Sequence, residues 1–201
     1  MMNHKRTQSG QGFMIVGLLL MAAALFLAGF NLWDDWRAGE AAQRILAALP
    51  LLEEVQPAEA LVADWDKEKE LPQVKTVDGN CVGLLDVPAL NLTLPVLDSC
   101  TVQQLRTGPC RYNGTPYRKG FVVAGHNYRT HFGALENLEP GDCVYFTDLE
   151  GNRFSYTVTS FQVLEEDAVE QMLSDEWDLT LFTCTYSGQT RFTVRCLLSD
   201  E

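Results

Sequence analysis

The arrangement in this sequence best suited to covalent chemistry is a cysteine at the end of an apolar segment, with an arginine just beyond a short loop. The pentapeptide Thr180-Leu181-Phe182-Thr183-Cys184 ends in that cysteine, and Arg191 follows the loop 185–190. The thiolate is the nucleophilic form of cysteine, and a nearby cation favours it. Cys184 is therefore a candidate nucleophile, which needs a proton-transfer partner and elements that position both.

A β-hairpin is the element predicted to bring the two residues together. If 180–184 and 191–198 pair as antiparallel strands, the symmetric register places Cys184 opposite Arg191. Directly paired residues have their Cβ atoms roughly 5 Å apart on the same sheet face. Arg195 shares that face but lies further along the strand, roughly 13 Å away. Arg191 is therefore the predicted partner, and Ser187-Gly188 supplies the turn.

Three histidines are candidates for proton transfer: His4, His126 and His131. His4 is separated from the remainder of the chain by an apolar segment. His126 directly follows the continuous apolar run 121–125, which is typical of a buried strand, whereas His131 is predicted to be exposed in a polar loop. A lone histidine at a strand end is more often structural than catalytic. Beside Cys184 and Arg191 in an exported barrel, the catalytic interpretation of His126 is favoured over the structural one.

Residues 13–30 form an apolar segment free of charged side chains. At 1.5 Å per residue its 18 residues give a helix about 27 Å long, close to the thickness of the hydrocarbon core. Lys5 and Arg6 precede the segment, and Asp34 and Asp35 follow it. The positive-inside rule then predicts a cytoplasmic tail over 1–12 and an extracellular remainder. The alternative is a cleaved signal peptide, favoured by the small residues at 22–24, but no cleavage pattern follows.

Composition limits the remaining possibilities. A chain of 201 residues holds one domain with an appendage, and a net charge of −12 argues against nucleic-acid binding. Six cysteines in an exported domain suggest three disulfides. The sequence contains no CxxC pair, so a zinc ribbon is not indicated. Cys100 and Cys110 are spaced to close a short loop. The other cysteines are equally compatible with buried small apolar side chains.

The segment after residue 30 changes character near residue 78. Residues 31–77 are rich in helix-forming side chains, interrupted by Pro50 and Pro57, and are predicted to be an extracellular helical stalk and linker. Alternatively, part of this segment packs on the domain as a helical arm. Residues 78–201 are predicted to be mainly β, with short strands at 81–88, 92–97, 121–125, 142–147, 152–164, 179–183 and 192–198 and one helix at 165–173. About eight short strands with few helices favour a closed or nearly closed barrel.

Several of these segments together resemble the sortases, the cysteine transpeptidases of Gram-positive cell surfaces. The pentapeptide ending at Cys184 matches the family's TLxTC signature, and Val123-Ala124-Gly125-His126-Asn127 is similar to its histidine strand end. Arg191-Phe192-Thr193-Val194-Arg195 resembles its arginine strand, and 82–88 its first strand. The resemblance covers roughly 78–200 and implies a sortase-type eight-stranded β-barrel with short helices, preceded by a transmembrane helix and stalk.

The resemblance also implies a mechanism and partners. Cys184 would attack the carbonyl of a residue in a C-terminal sorting signal, and His126 would protonate the leaving amine and deprotonate the incoming one. Arg191 would hold the substrate backbone and stabilise the oxyanion, while Thr183 would assist through its hydroxyl or amide. The acyl group would pass to an amine of the cell wall or of a pilin, with no cofactor or bound metal. The acids at 165–167 are compatible with a calcium site, but a helix N-terminus is the commoner reason for such acids.

The subtype and the substrate contacts stay open at this point. Because the segment before the cysteine strand lies beside the site in the family, Val169 and Trp177, with Met172 and Leu173, are candidate substrate contacts. Packing of an amphipathic helix explains them equally well. Asp64-Trp65 faintly resembles a lid anchor of pilin-assembling sortases, although an aromatic in a linker is the simpler interpretation. The alternatives to a transpeptidase are an exported cysteine protease and a non-catalytic barrel that binds surface partners.

Overall fold

The protein is described by a computed structural model covering residues 5–49, 56–57 and 69–199, which divides into two units, 1–37 and 38–201. Pro50 and Asp64-Trp65, with most of the predicted linker, lie outside the described residues. Helix α1 extends over Lys5–Ala48. Within it, Gln11–Ala48 is long and apolar enough, by length and composition, to cross a membrane. The mean hydropathy of its most apolar 18 residues is 2.6. The helix continues past residue 30 without a break.

The C-terminal end of α1 belongs to the second unit and packs on its strands. Ala38, Ala41, Ala42 and Ile45 are buried, at the spacing of one helix face. Ile45 packs in a cluster with Cys81, Leu97, Cys110 and Ala124. Of the two interpretations of the segment 31–77, the helical arm therefore describes residues 38–45.

In the described part of the second unit, ten strands form the sheet. They are β1 (Gln56–Pro57), β2 (Val74–Thr76), β3 (Gly79–Val87), β4 (Leu92–Leu97), β5 (Cys110–Asn113), β6 (Phe121–Gly125), β7 (Cys143–Asp148), β8 (Asn152–Glu165), β9 (Leu179–Cys184) and β10 (Thr190–Leu198). Strands β3 to β10 close into a barrel in the order β3-β4-β5-β6-β9-β10-β8-β7, because β7 pairs with both β3 and β8. The predicted eight-stranded barrel is confirmed.

Short helices join these strands on the outside of the barrel. The described part of the second unit contains α2 (Val102–Leu105), α3 (Val169–Met172) and 3-10 turns at Pro88–Leu90 and Phe132–Asn137. The helix predicted at 165–173 is therefore shorter than expected. Residues 152–165 stay in β8 because that strand pairs with β10 up to the partners Glu165 and Thr190.

The barrel interior holds one apolar core. Phe121, Phe146, Phe154 and Leu179 are all fully buried there, and the rings of Phe121 and Phe146 meet edge to face at 5.0 Å between centroids. Every residue of β6 is buried, as its apolar run predicts. Its inward side chains join the core, and Val122 on the outward face packs with Leu164 and Met172. Covering on both faces fixes β6 firmly, and β6 leads directly to His126.

Candidate active site

Cys184 is the last residue of β9 and is partly exposed. The free cysteines of the described chain are Cys81, Cys143, Cys184 and Cys196. Burial raises the pKa of the Cys81 and Cys196 thiols, which keeps both protonated inside the domain. Cys143 is exposed at the start of β7. Cys184 is thus the free thiol that lines a cavity while remaining accessible.

Arg191 lies opposite Cys184 in the pairing of β9 and β10, as the symmetric hairpin register predicts. Arg195 pairs with Thr180, four residues further along the strand, which is two repeats of the pleat. The Arg191 guanidinium donates from Nη1 to the carbonyl oxygens of Gly188 at 2.9 Å and Thr190 at 3.2 Å. Its Nη2 lies 3.7 Å from Glu166 Oε2, whose side chain is 68% exposed. Such an exposed ion pair is weak, so Arg191 can exchange this carboxylate for a substrate group.

His126 reaches the site from a neighbouring strand. β6 runs parallel to β9, and Gly125 pairs with Thr183. Because parallel strands end at the same edge of a sheet, the next residues of the two chains, His126 and Cys184, leave that edge side by side. A Cβ atom on Gly125 would overlap the ring of Phe132, so glycine is required directly before the histidine. The strand pairing therefore places an imidazole next to the thiol.

The loop after His126 holds its ring. Tyr128 stacks on His126 with ring centroids 4.4 Å apart and an interplanar angle of 23°. His131 in turn meets the Tyr128 ring edge-on, with ring centroids 5.4 Å apart. His131 is fully buried, so the expectation that it is exposed is wrong. His131 lies at the N-cap position of the 3-10 turn Phe132–Asn137, and the first residue of that turn is also buried.

Cys184, His126 and Arg191 line one cavity of about 270 Å³. The apolar part of its wall is formed by Leu105, Tyr112, Ala124, Phe182, Val169 and Met172. Glu165 and Glu166 lie on the polar side. A nucleophile, a proton-transfer group and a cation therefore share an accessible cavity with a mainly apolar floor. This arrangement can form and resolve an acyl enzyme.

Helix α3 supplies one wall of this cavity, and Arg195 holds that helix from beneath. The Arg195 side chain is 1% exposed and donates to Gln171 O at 2.6 Å, Met172 O at 3.3 Å and Thr180 Oγ1 at 2.9 Å. It also donates to Gln162 Oε1 at 3.0 Å. Trp177 lies on a separate cleft together with Arg195, whereas Val169 lines the cavity of Cys184.

A disulfide between Cys100 and Cys110 supports the opposite wall. It closes the loop that carries α2, and Cys100 and Leu105 both line the cavity. The spacing of Cys100 and Cys110 in the sequence is compatible with this disulfide, which closes a short loop. The expectation of three disulfides does not hold among the described residues, because Cys81 and Cys196 are buried as free thiols in two apolar clusters.

Thr183 faces the barrel interior, on the opposite side of β9 from Cys184. It is 5% exposed, and its hydroxyl has no hydrogen-bond partner among the described residues. It lines a second cavity, of about 140 Å³, which also includes Cys184, Asn127 and Glu136. Cys184 therefore stands between two cavities.

Sequence reasoning missed several residues of the site. Phe182 shares the outward face of Cys184, which the two-residue period of a strand reveals once the face is chosen. Tyr128, Leu105 and Tyr112 carry no comparable signal, because each comes from a separate loop or strand that only the closed barrel brings near Cys184. Among the described residues, no group of three acidic, histidine or cysteine side chains is placed to hold a metal ion.

Comparison with known proteins gives consistent similarities. A family model described as "Sortase domain" matches residues 85–199. Sortase A of Bacillus anthracis is 27% identical over 195 residues, which cover 91% of this chain and 89% of that protein. The structure of sortase A from Listeria monocytogenes superposes with a TM-score of 0.54 at 27% identity, covering 60% of this chain and 88% of the other. Sortase C of Clostridium perfringens, solved with its C-terminal cell wall sorting motif, gives a TM-score of 0.55 at 24% identity, covering 72% and 84%.

Proposed function

Because this chain belongs to the sortase family of cysteine transpeptidases, we propose that Cys184 is its nucleophile and that His126 and Arg191 complete the active site. The observation that carries this assignment is the single cavity lined by all three side chains. The register of Arg191 with Cys184 and of Gly125 with Thr183 supports it.

The first half of the reaction forms an acyl enzyme. The Cys184 thiolate attacks the carbonyl carbon of the scissile peptide bond, and negative charge develops on the carbonyl oxygen. Arg191, already on the same sheet face, donates hydrogen bonds to that oxygen and to the adjacent substrate backbone. The C–N bond then breaks as His126 gives a proton to the leaving amine. A thioester on Cys184 remains, so one difficult step becomes two easier ones.

The second half transfers the acyl group. An amine attacks the thioester carbon, the C–S bond breaks, and His126 takes a proton from the attacking nitrogen. Tyr128 keeps the imidazole plane in place through both proton transfers, since it stacks against the ring at 4.4 Å between centroids. The product is a new amide bond between the acyl donor and the acceptor.

The donor is a surface protein bearing a C-terminal sorting signal, the class of substrate on which the family acts. We assign its apolar residues to the two walls that α3 and α2 form. There Val169, Met172 and Leu105 present apolar side chains to the cavity. Trp177 lies on the other cleft and is not assigned a contact with the reacting peptide. The acceptor is an amine of the cell wall or of a pilin.

The chain is proposed to act at the outer face of the cell membrane. The apolar stretch of α1 supplies the anchor over 13–30, with 1–12 cytoplasmic and the catalytic domain, 78–201, extracellular. The excess of cations before the anchor and of acids directly after it supports this orientation.

The decisive experiment uses the full-length chain in detergent micelles. It is incubated with a library of sorting-signal peptides and an amine acceptor, and amide products are identified by mass spectrometry. The wild type and Cys143→Ala, which removes an exposed free thiol, are expected to form the product, whereas Cys184→Ala forms none. Addition of amine should raise total turnover. Product formation by Cys184→Ala would reject the assignment, and cleavage unaffected by amine would indicate a hydrolase.

A further inference from the structure

The second cavity beside Cys184 has the composition of a site for a positively charged group. Besides Cys184 and Thr183 it is lined by Asn127, Glu136 and the aromatic residues Phe132 and Phe192. Among the described residues of this lining, Glu136 is the one with a charged side chain. A carboxylate at the rim of an aromatic cavity attracts an ammonium group through its charge and through the faces of the rings.

Glu136 is available for such a ligand. It is exposed, it belongs to the 3-10 turn Phe132–Asn137, and within the described chain it takes part in no ion pair. Two other carboxylates at the active site, those of Glu165 and Glu166, line the larger cavity, and Glu166 forms an ion pair with Arg191. The residues that the structure describes therefore leave the negative charge of the smaller cavity without a counter-charge.

Thr183 provides an independent sign of a ligand. Its side chain is 5% exposed, and its hydroxyl oxygen lacks a hydrogen-bond partner among the described residues while it lines this cavity. Buried hydroxyls are nearly always hydrogen-bonded, and leaving one unsatisfied is costly. A donor entering the cavity would satisfy it.

We propose that this second cavity binds the acceptor, a primary amine that approaches as an ammonium group, with Glu136 at its entrance and Thr183 at its inner end. The inference rests on the proposed role of Cys184. The larger cavity holds the acyl donor through its apolar wall, so the acceptor must approach the thioester from the other side. Cys184 lines both cavities and is the point at which they meet.

The transfer step balances with the groups present. Glu136 draws in the ammonium form, which loses one proton to water as it moves inward. The Thr183 hydroxyl oxygen then accepts one N–H of the neutral amine. The nitrogen lone pair attacks the thioester carbonyl carbon, the C–N bond forms and the C–S bond breaks. The thiolate stays on Cys184, and neutral His126 takes the proton released by nitrogen.

The test compares two acceptors that differ in charge. Triglycine amide carries an ammonium group at neutral pH, whereas hydroxylamine is largely uncharged. Full-length wild type, Glu136→Gln and the control Glu139→Gln are assayed in detergent with one donor peptide from the library. Glu139 is also exposed but lies outside the lining of the cavity, so its variant makes the same change in net charge.

Glu136→Gln is expected to raise the KM for triglycine amide about two- to fivefold, the range for a partly exposed ion pair. The KM for hydroxylamine and the rate of donor hydrolysis without amine should stay at wild-type values, and Glu139→Gln should match the wild type throughout. Thr183→Val, which keeps the shape but removes the hydroxyl, is expected to raise the KM for both amines about fivefold.

Equal KM values for triglycine amide in wild type and Glu136→Gln would overturn the proposal. So would a parallel fall in donor hydrolysis, because the cavity would then serve the donor. Failure of the proposed function looks different: the wild type would show no cleavage that depends on Cys184 with any peptide, and the inference would fall with it.

Discussion

Arg191 lies directly opposite Cys184 in the antiparallel pair of β10 and β9, and both side chains line the same cavity. The pairing fixes the guanidinium relative to the thiol through backbone hydrogen bonds of the sheet. Among the described residues, its ion-pair partner at the site is Glu166, at 3.7 Å and largely exposed. The guanidinium N–H groups of Arg191 are therefore positioned to donate hydrogen bonds to a substrate oxygen.

Replacing Arg191 with lysine tests this geometry. Lysine keeps the charge but loses the planar fork, so it cannot contact the oxyanion and the neighbouring backbone together. We expect kcat for amide formation to fall about 100-fold, the usual effect of losing one oxyanion donor. The rate of Cys184 alkylation by iodoacetamide should change little. Arg106→Lys, at an exposed position, is the control, and wild-type kcat in Arg191→Lys would contradict the assigned role.

Arg195 is expected to matter for a different reason. Its buried guanidinium holds two carbonyl groups at the end of α3, together with Thr180 and Gln162. Burial lowers the pKa of this side chain, because the charged form is removed from water. Arg195→Met leaves four acceptors without their donor, and two of them, Met172 O and Thr180 Oγ1, belong to buried hydrogen bonds. It should lower the free energy of unfolding by about 2–4 kcal/mol.

The same variant should raise the KM for the donor peptide, because the α3 wall of the cavity loosens. Urea unfolding and steady-state kinetics of the full-length chain in detergent measure the two effects. Arg106→Met serves as the exposed control. If Arg195→Met is less stable but has an unchanged KM, Arg195 supports the fold without shaping the substrate wall.

The buried thiols predict a loss of stability at alkaline pH. Cys196 is fully buried, and burial raises the pKa of its thiol above the ordinary value of about 8.5. Between these two values the unfolded chain has lost the proton and the native protein keeps it, so the free energy of unfolding falls as pH rises. The limiting slope is about 1.4 kcal/mol per pH unit for one thiol.

Urea titrations at a series of pH values from about 8 to about 10.5 measure this slope. The upper limit lies about two pH units above the ordinary pKa of a thiol. Cys196→Ala should flatten it, although the variant is less stable at neutral pH because it leaves a cavity. Cys81, whose pKa burial also raises, accounts for part of the remaining slope. Cys143→Ala should keep the full slope, since Cys143 is exposed. A slope in Cys196→Ala equal to that of the wild type would show that Cys196 does not stay protonated.

The end of α1 is expected to contribute to the stability of the domain. Ile45 is 1% exposed and packs with Cys81, Leu97 and Cys110. Ile45→Ala should lower the free energy of unfolding by about 2–4 kcal/mol, as for other buried large-to-small changes. Gln43→Ala, exposed on the same helix, should change it little. Equal stability of the two variants would mean that the helix end is not part of the folded unit.

The geometry of the candidate site was largely predictable because it follows from strand periodicity. A two-residue period and a symmetric hairpin fix which residue faces Cys184, and the apolar run 121–125 fixes where His126 emerges. The register Arg195 to Thr180 follows from the same rule. These features depend on residues close in sequence or on burial of a complete strand.

The remaining features depend on contacts between distant segments. The burial of His131 results from the ring of Tyr128 and the inward 3-10 turn that begins at Phe132, and neither leaves a periodic signal. The helix expected at 165–173 is shortened because pairing with β10 holds Glu165 in a strand. Cysteine count overestimated the disulfides, since it does not distinguish Cys196, inside the barrel core, from a residue that has a partner within reach.

Tyr128 is expected to act as a positioning residue for His126. The two rings stack at 4.4 Å between centroids, and the buried His131 meets the tyrosine ring edge-on at 5.4 Å. Tyr128→Leu removes the flat surface against which the imidazole rests, so the ring can rotate away from the thiol. We expect kcat to fall between about tenfold and 100-fold, the range in which misplaced proton-transfer groups fall. The KM for the donor should stay the same, because Tyr128 is not among the residues that line the larger cavity.

Tyr128→Phe is the matched variant, because it keeps the ring and removes only the hydroxyl. It should retain most of the wild-type kcat. If the tyrosine hydroxyl itself transferred a proton, this variant would be slow. Circular dichroism and the rate of Cys184 alkylation check that both variants are folded. If Tyr128→Phe is as slow as Tyr128→Leu, the hydroxyl takes part in the chemistry and stacking is not the reason for the effect. If neither variant is slow, Tyr128 does not set the orientation of His126.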